Sequence, residues 1–291
     1  MKPISELLEI LRCTCGGNLS VVQENITCSQ CGKTYGPVSG AYFDYIKLQK
    51  NKEDVGENSD GVVARLKYFF KKFPRFYYFL AYLFGGRQVN ITAEKFCATL
   101  RPSATVVNVG SGTKRLRDNV INVDFSPFSV VDVVALAEQL PFKDGSVDAV
   151  VCDNLLEHVK NPQAVVKEIY RILKVGGVVY VGTPFLLGYH SSPNDFQRWT
   201  AEGLRELMSG FSARELKIAY GPTSAMVTVL SEWLALVFSF NSAFLYNSLV
   251  IMLTIVLSPF KLLDYIVSHY KTAENIAYGF YFIGTKEISR S

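Results

Sequence analysis

Four of the six cysteines in this 291-residue chain, Cys13, Cys15, Cys28 and Cys31, fall within its first 31 positions. Cys13-x-Cys15 and Cys28-x-x-Cys31, twelve residues apart, could supply four thiolates to one tetrahedral zinc ion. Disulfides or free thiols are the competing uses of the same side chains. Gly32 follows the second pair, as a metal-binding knuckle requires. A zinc ion there would be structural, because so small a module buries too little core to hold itself. Cys97 and Cys152 stand alone and read as buried thiols.

A second cluster of chemistry begins at Gly110-Ser111-Gly112. The apolar run ATVVNVG reads as a buried strand that ends in this turn, and glycine there allows backbone to approach a ligand closely. Asp124 ends the next strand, NVINVDF, where a carboxylate can bind ribose hydroxyls. A dinucleotide site needs a third glycine, and its acid stands about 20 residues on. Here the sixth position is Arg115, and Asp124 follows Gly110 by 14. So short a crossover suits an adenosyl ligand without phosphates, S-adenosylmethionine, better than NAD. A purely structural βα turn with a surface aspartate is the alternative.

The chain has three histidines. His158, in LLEHV, and His190, in PFLLGYHSSPNDFQRWT, each follow a strand and so fall at the carboxyl edge of the sheet. His190 is the stronger candidate for acid/base work or substrate contact. Asp195 and Arg198 share its loop. Arg198 could hold an anionic group, or the two could simply staple the loop to itself. His269 lies in an apolar segment and carries no such expectation.

The elements that must position these residues alternate. VDVVALA, VDAVVCDN, VVYVGTP and ARELKIAY read as further strands, and AYGFYFIGTK as the last. NPQAVVKEIYRILKVGG reads as a helix with Asn161 as N-cap, Pro162 in the first turn and Gly176 as its stop. TAEGLRELMSG reads as another, capped by Thr200. Alternation of this kind predicts an α/β fold with a mostly parallel sheet covered on both faces.

VVNVGSGTKRL, NVDFSP, AEQLPFKDGSVDAVVCDNLLEHV and EIYRILKVGGVVYVGTPF together resemble, in order and spacing, the motifs of class I S-adenosylmethionine-dependent methyltransferases (methyltransferase type 11-like) over about residues 104–290. The resemblance implies a Rossmann-like seven-stranded sheet with its last strand antiparallel. It implies that Asn108, Gly110, Ser111 and Gly112 lie along the methionine part of the cofactor. Asp124 would bind the ribose, and Phe125, Ala137 and Glu138 would flank the adenine. Asp153, Asn154 and Leu155 would face the reacting centre, and His158 is common there as a structural residue. The chain departs from the family pattern at Asn108, Lys114 and Leu136. The pattern H-x-x-P-x-D-x-x-R-x-T from His190 to Thr200 resembles a subgroup acting on bacterial cell-surface sugars and lipids. The N-terminal segment resembles short zinc ribbons that precede some of these domains, although its first cysteine pair encloses one residue instead of two.

The expected organisation is a zinc-ribbon-like module over 1–48, a linker and basic-aromatic helices over 49–100, and a methyltransferase domain over 101–291 with an apolar helical insertion at 222–272. The formal charge of +4 is mild, and nucleic acid is not expected as a partner. Lys and Arg interleaved with aromatic residues over 65–84, together with the insertion, suggest peripheral membrane contact. A lid over the site or a homodimer face is the alternative. With Glu6 and Glu9 where a secretory apolar region would lie, the expected location is cytoplasmic, on the inner face of the plasma membrane. Three functions compete: O-methylation of a sugar or lipid-linked glycan intermediate, methylation of a quinone or lipid, and a non-catalytic docking module.

Overall fold

The computed structural model describes residues 4–22, 25–37, 43–44, 85–190 and 194–287. The basic-aromatic stretch 65–84 and the polar segment before it lie outside the described residues.

Four runs rich in valine form the middle of the main sheet: β5 (Val106–Val109), β6 (Val120–Asp124), β8 (Val147–Asp153) and β9 (Leu173–Pro184). They are buried nearly throughout, as strands covered on both faces must be. With β7 (Val133–Val134), β10 (Ser212–Tyr220) and β11 (Gly279–Thr285) they align in the order β10-β11-β9-β8-β5-β6-β7. All are parallel except β11, which runs antiparallel to both β9 and β10. This is the expected seven-stranded arrangement. An eighth strand was not foreseen: β4 (Phe43–Asp44), from the N-terminal region, pairs in parallel with β7. An edge as short as β7 leaves backbone groups unpaired, and β4 covers them. The chain order reverses direction between β5 and β8, so ligands are expected at the carboxyl ends of those two strands.

The helices are anchored by local chemistry. Thr92 caps α2 (Ala93–Thr99), accepting from Lys95 N at 3.1 Å. Asn161 caps α3 (Pro162–Ile172), accepting from Ala164 N at 3.1 Å, and Val165, Val166, Ile169 and Ile172 face the core. The helix stops at Ile172, earlier than Gly176. Leu173 already pairs with Val147, and Gly176 takes φ +79° inside β9, where the register with β8 shifts. Thr200 caps α4 (Ala201–Leu207) through Gly203 N at 3.0 Å.

The N-terminal module comprises α1 (Ile4–Ile10) and an antiparallel sheet of β1 (Leu19–Val22), β2 (Asn25–Cys28) and β3 (Thr34–Pro37). It docks on residues 141–144. Leu11 bridges Phe142, Arg12 N donates to Pro141 O at 2.9 Å, and Lys143 N to Ile10 O at 2.8 Å. Leu7, Leu11, Ile26 and Tyr35 join the same buried cluster as Leu140, Phe142 and the β5–β6 valines.

Between β10 and β11 the chain forms a helical hairpin, α5 (Pro222–Phe238) and α6 (Ala243–Leu257). It turns at Phe240 and Asn241, both at positive φ. A 3-10 turn over 258–263 and the short α7 (Asp264–Val267) complete it. Asp264, fully buried, caps α5 from 40 residues away: its carboxylate accepts from Thr223 N at 2.6 Å, Ser224 N at 3.0 Å and Ser224 Oγ at 2.6 Å. An acid at a helix N-terminus satisfies orphan donors and opposes the helix dipole. It also fixes the base of the hairpin against the sheet.

Candidate active site

The tip of β5 is tied to the tip of β6. Gly110 N and Ser111 N donate to Val123 O at 2.9 and 3.1 Å. Gly112 N donates to Asp124 Oδ2 at 2.8 Å, and Ser126 N to Asp124 Oδ1 at 2.9 Å. Gly110 and Gly112 sit at φ +71° and +54°, in the left-handed region that excludes most side chains. A Cβ on Gly110 would also lie 2.8–2.9 Å from the side chain of Leu155. The buried Ser111 Oγ has no hydrogen-bond partner among the described residues. The turn thus brings one buried hydroxyl and a braced carboxylate to a single spot where backbone can approach a ligand closely, which suits an adenosyl group. Phe125 follows Asp124 and is exposed. Ala137 and Glu138 are half-buried, on the loop where Ala135 N donates to Asp124 O at 3.0 Å.

Two of the three departures from the family pattern, Asn108 and Lys114, have structural uses; nothing in the structure explains Leu136. Asn108 donates to Asn122 Oδ1 at 3.3 Å across the strand pair, and Asn122 N donates to Asp132 Oδ2 at 2.8 Å. Arg115 reaches Val120 O, Val130 O and Asp132 at 2.6–2.9 Å. Lys114 pairs with Glu94 of α2. Burial alone would raise the Glu94 carboxyl, but its hydrogen bond and charge contact with Lys114 hold it below its ordinary range.

Beside this turn opens a cavity of about 580 Å³, within the range of small-molecule sites. Lys114, Asp153, Asn154, His190, Tyr220 and Tyr265 line it. Asn154 takes φ +54°, an uncommon conformation for a non-glycine residue. Its Nδ2 donates to Asp153 Oδ1 and Tyr220 Oη, both at 3.2 Å, which holds it in place. Burial pushes the Asp153 carboxyl up to about 6.

His158 and His190 meet edge to face, with ring centroids 4.9 Å apart. His158 Nδ1 lies 2.5 Å from Asn194 O. A carbonyl only accepts, so Nδ1 carries the proton and Nε2 points away from it. His190 N donates to Asp195 Oδ2 at 2.8 Å, and its Nδ1 lies 3.4 Å from the same oxygen. Arg198 grips both Asp195 oxygens and also donates to Leu187 O, Gly188 O and Gln197 O. All its donors are engaged within the loop, so Asp195 and Arg198 staple it and orient His190. Arg198 does not line the cavity.

Comparison with known proteins agrees with this geometry. Residues 95–181 match a family model described as a methyltransferase domain. A ubiquinone biosynthesis O-methyltransferase of Dechloromonas aromatica is 44% identical over 61 residues, which is 21% of this chain and 24% of the relative. A Mycolicibacterium smegmatis protein, named a probable S-adenosylmethionine-dependent methyltransferase, is 31% identical over 140 residues, or 44% of this chain and 50% of the relative. The matches thus span about a quarter to a half of the curated relatives' lengths. A solved SAM-dependent methyltransferase of Thermotoga maritima aligns at 21% identity and TM-score 0.43, over 76% of this chain and 99% of its own.

Glu157 was not singled out from the sequence. It follows the tip of β8, is fully buried, and neither of its carboxylate oxygens has a hydrogen-bond partner among the described residues. Burial pushes it up to about 8. Its only sequence signal was an acid beside His158 just past a strand end.

The cysteine cluster lies apart, in the N-terminal module docked on residues 141–144. Cys13 and Cys31 Sγ are 3.6 Å apart, Cys15 and Cys28 Sγ 3.5 Å, and all four lie within 4.8 Å of one another. A tetrahedral ion with Zn–S bonds of about 2.3 Å requires sulfur separations of about 3.8 Å. The residues fit. The short first pair is accommodated by Gly16 at φ +87°, whose N donates to Cys13 O at 2.9 Å, and Gly32 plays the matching part at φ +69°. Against the opposing effect of burial, a hydrogen bond from backbone at Cys15 and one with the Tyr35 hydroxyl, 2.7 Å away, lower the Cys13 thiol to about 6.

Proposed function

We propose that the chain is an S-adenosylmethionine-dependent O-methyltransferase that works at a membrane surface on a lipid-borne acceptor. The observation that carries the cofactor is the Asp124 carboxylate held against the glycine turn by Gly112 N. Methyl transfer from a sulfonium is an in-line displacement, so the protein's task is to position the acceptor and exclude water. The cavity lies beside the turn, with His190 on its wall to order the acceptor hydroxyl.

The membrane reading rests on the hairpin. Phe240 and Phe244 are 85% and 83% exposed at its tip, and Trp233, Leu236, Ile251, Met252 and Val256 are exposed along its legs. From Pro222 to Phe260 the one charged residue is Glu232. Its carboxylate lies against Gly188, facing the protein. The helical run Ala243–Val267 is long and apolar enough to cross a membrane by length and composition, with mean hydropathy 1.9. However, the chain leaves β10 at Tyr220 and re-enters β11 at its register partner Gly279, so both ends of the insertion are on one side. A hairpin dipping into one leaflet meets that constraint. Tyr265, at its base, lines the cavity, which favours an acceptor arriving from the bilayer.

Glycan-linked lipids and quinones both fit this access. The sugar-and-lipid-like loop pattern supports the first, and the names of the ubiquinone-pathway relatives support the second. The location that follows is cytoplasmic and peripheral, on the inner face of the plasma membrane.

Calorimetry with S-adenosylmethionine tests the enzyme reading, since no binding at millimolar cofactor would leave a docking module. Labelled methyl then separates the acceptors by appearing in polymer-linked or in simple lipid fractions. For the membrane, the full chain should float with phosphatidylcholine–phosphatidylglycerol vesicles. Burying one Phe is worth about 1.5–3 kcal/mol, so Phe240→Glu with Phe244→Glu should cut partitioning by roughly 100-fold. Equal flotation of wild type and variant would overturn the membrane reading.

A further inference from the structure

The buried Glu157 carboxylate needs a partner, since an ionised group without one is strongly disfavoured in an apolar interior. His158 Nε2 is 3.7 Å from Glu157 Oε1. His190 closes the group from the other side. One ligand atom from each of the three lies within 4.8 Å of the others. Bonds of about 2.0–2.2 Å to a shared ion bring ligand atoms to roughly 3–4 Å of one another, so the side chains need to close by at most about 1–2 Å.

Two further features point to an ion. The set is two imidazoles and one carboxylate, which divalent transition metals favour and which leaves coordination positions open. The His158 imidazole is also held at its far nitrogen, Nδ1, by the Asn194 carbonyl, while His190 Nδ1 lies 3.4 Å from the Asp195 carboxylate. Outer partners of this kind fix ring orientation and raise ligand basicity at metal sites. The loop staple of Asp195 and Arg198 then has a purpose beyond the loop itself.

We propose that Glu157, His158 and His190 bind one divalent transition-metal ion at the wall of the cavity, distinct from the four-cysteine site. His190 lines the cavity, so the open positions face the space an acceptor would enter. The ion's role, though not its binding, rests on the methyltransferase reading. There it lowers the pKa of an acceptor hydroxyl. The hydroxyl proton passes to solvent, the oxygen lone pair forms the new O–CH3 bond, and the C–S electron pair leaves with the neutral thioether.

Metal stoichiometry and Co2+ spectroscopy on the full chain test this. Reconstituted protein should hold two ions, one with intense thiolate charge-transfer bands and one without. His190→Ala and Glu157→Gln should each remove the second and leave the thiolate bands. The affinity loss should exceed the roughly 10–100-fold typical of losing an outer-shell partner. Cys28→Ser should do the reverse. His190 is at the cavity surface, so its variant keeps the test sound if Glu157→Gln fails to fold. A single ion showing only thiolate bands, or two ions that survive His190→Ala, would overturn the proposal. Loss of cofactor binding in calorimetry with the second ion still bound would sink the methyltransferase reading and leave the metal site standing.

Discussion

Asp124→Ala is expected to weaken S-adenosylmethionine binding by at least about 100-fold in calorimetry, with the circular dichroism of the chain retained. The carboxylate accepts Gly112 N and Ser126 N at 2.8 and 2.9 Å. A carboxylate at this strand tip is the group that would accept the ribose hydroxyls of the cofactor. Hydrogen bonds to a charged group contribute about 1.5–3 kcal/mol each, so losing two removes about 3 kcal/mol or more, and each 1.4 kcal/mol is tenfold in affinity. The glycine turn also loses its brace, because two backbone donors must then find water. Asp124→Asn keeps one acceptor but turns an amide donor toward the other N–H, so an intermediate loss is expected. Unchanged affinity in Asp124→Ala would mean that the cofactor lies elsewhere.

Stripping metal from the N-terminal module should lower the melting temperature by roughly 10 °C, and Cys28→Ser should reproduce the effect. Structural zinc contributes about 10–16 kcal/mol to small zinc-finger peptides. Only part of that reaches the whole protein here, because the module can melt ahead of the main sheet. A net loss of about 3–5 kcal/mol reads as roughly 10 °C in a domain of this size. The effect should reach the methyltransferase domain, because Cys28, Tyr35 and Leu11 share its buried cluster with Phe142. Elemental analysis without zinc, together with a melting curve indifferent to chelator, would refute a structural ion.

What local chemistry dictates was legible in the chain itself. Asn161 and Thr200 cap helices because their side chains reach amides three residues on. Gly110 and Gly112 announce a tight turn because left-handed backbone excludes most side chains. Asp124 falls at a strand tip because the mostly apolar run Val120–Val123 ends there. The paired cysteines lie close because each pair shares one turn. In each case the interaction spans a few residues, so spacing is sufficient.

Tertiary structure decided the rest, because contacts between distant residues depend on which strand lies beside which. His158 and His190, far apart in sequence, meet because β8 and β9 are parallel neighbours. The same packing buries Glu157 and lets Arg198 close on its own loop instead of a substrate. Asp264 caps α5 across 40 residues, and β4 completes a sheet edge in another part of the chain. Those long-range closures set beside a recognisable cofactor turn a cavity lined by His190 and by Tyr265 at the base of a greasy hairpin.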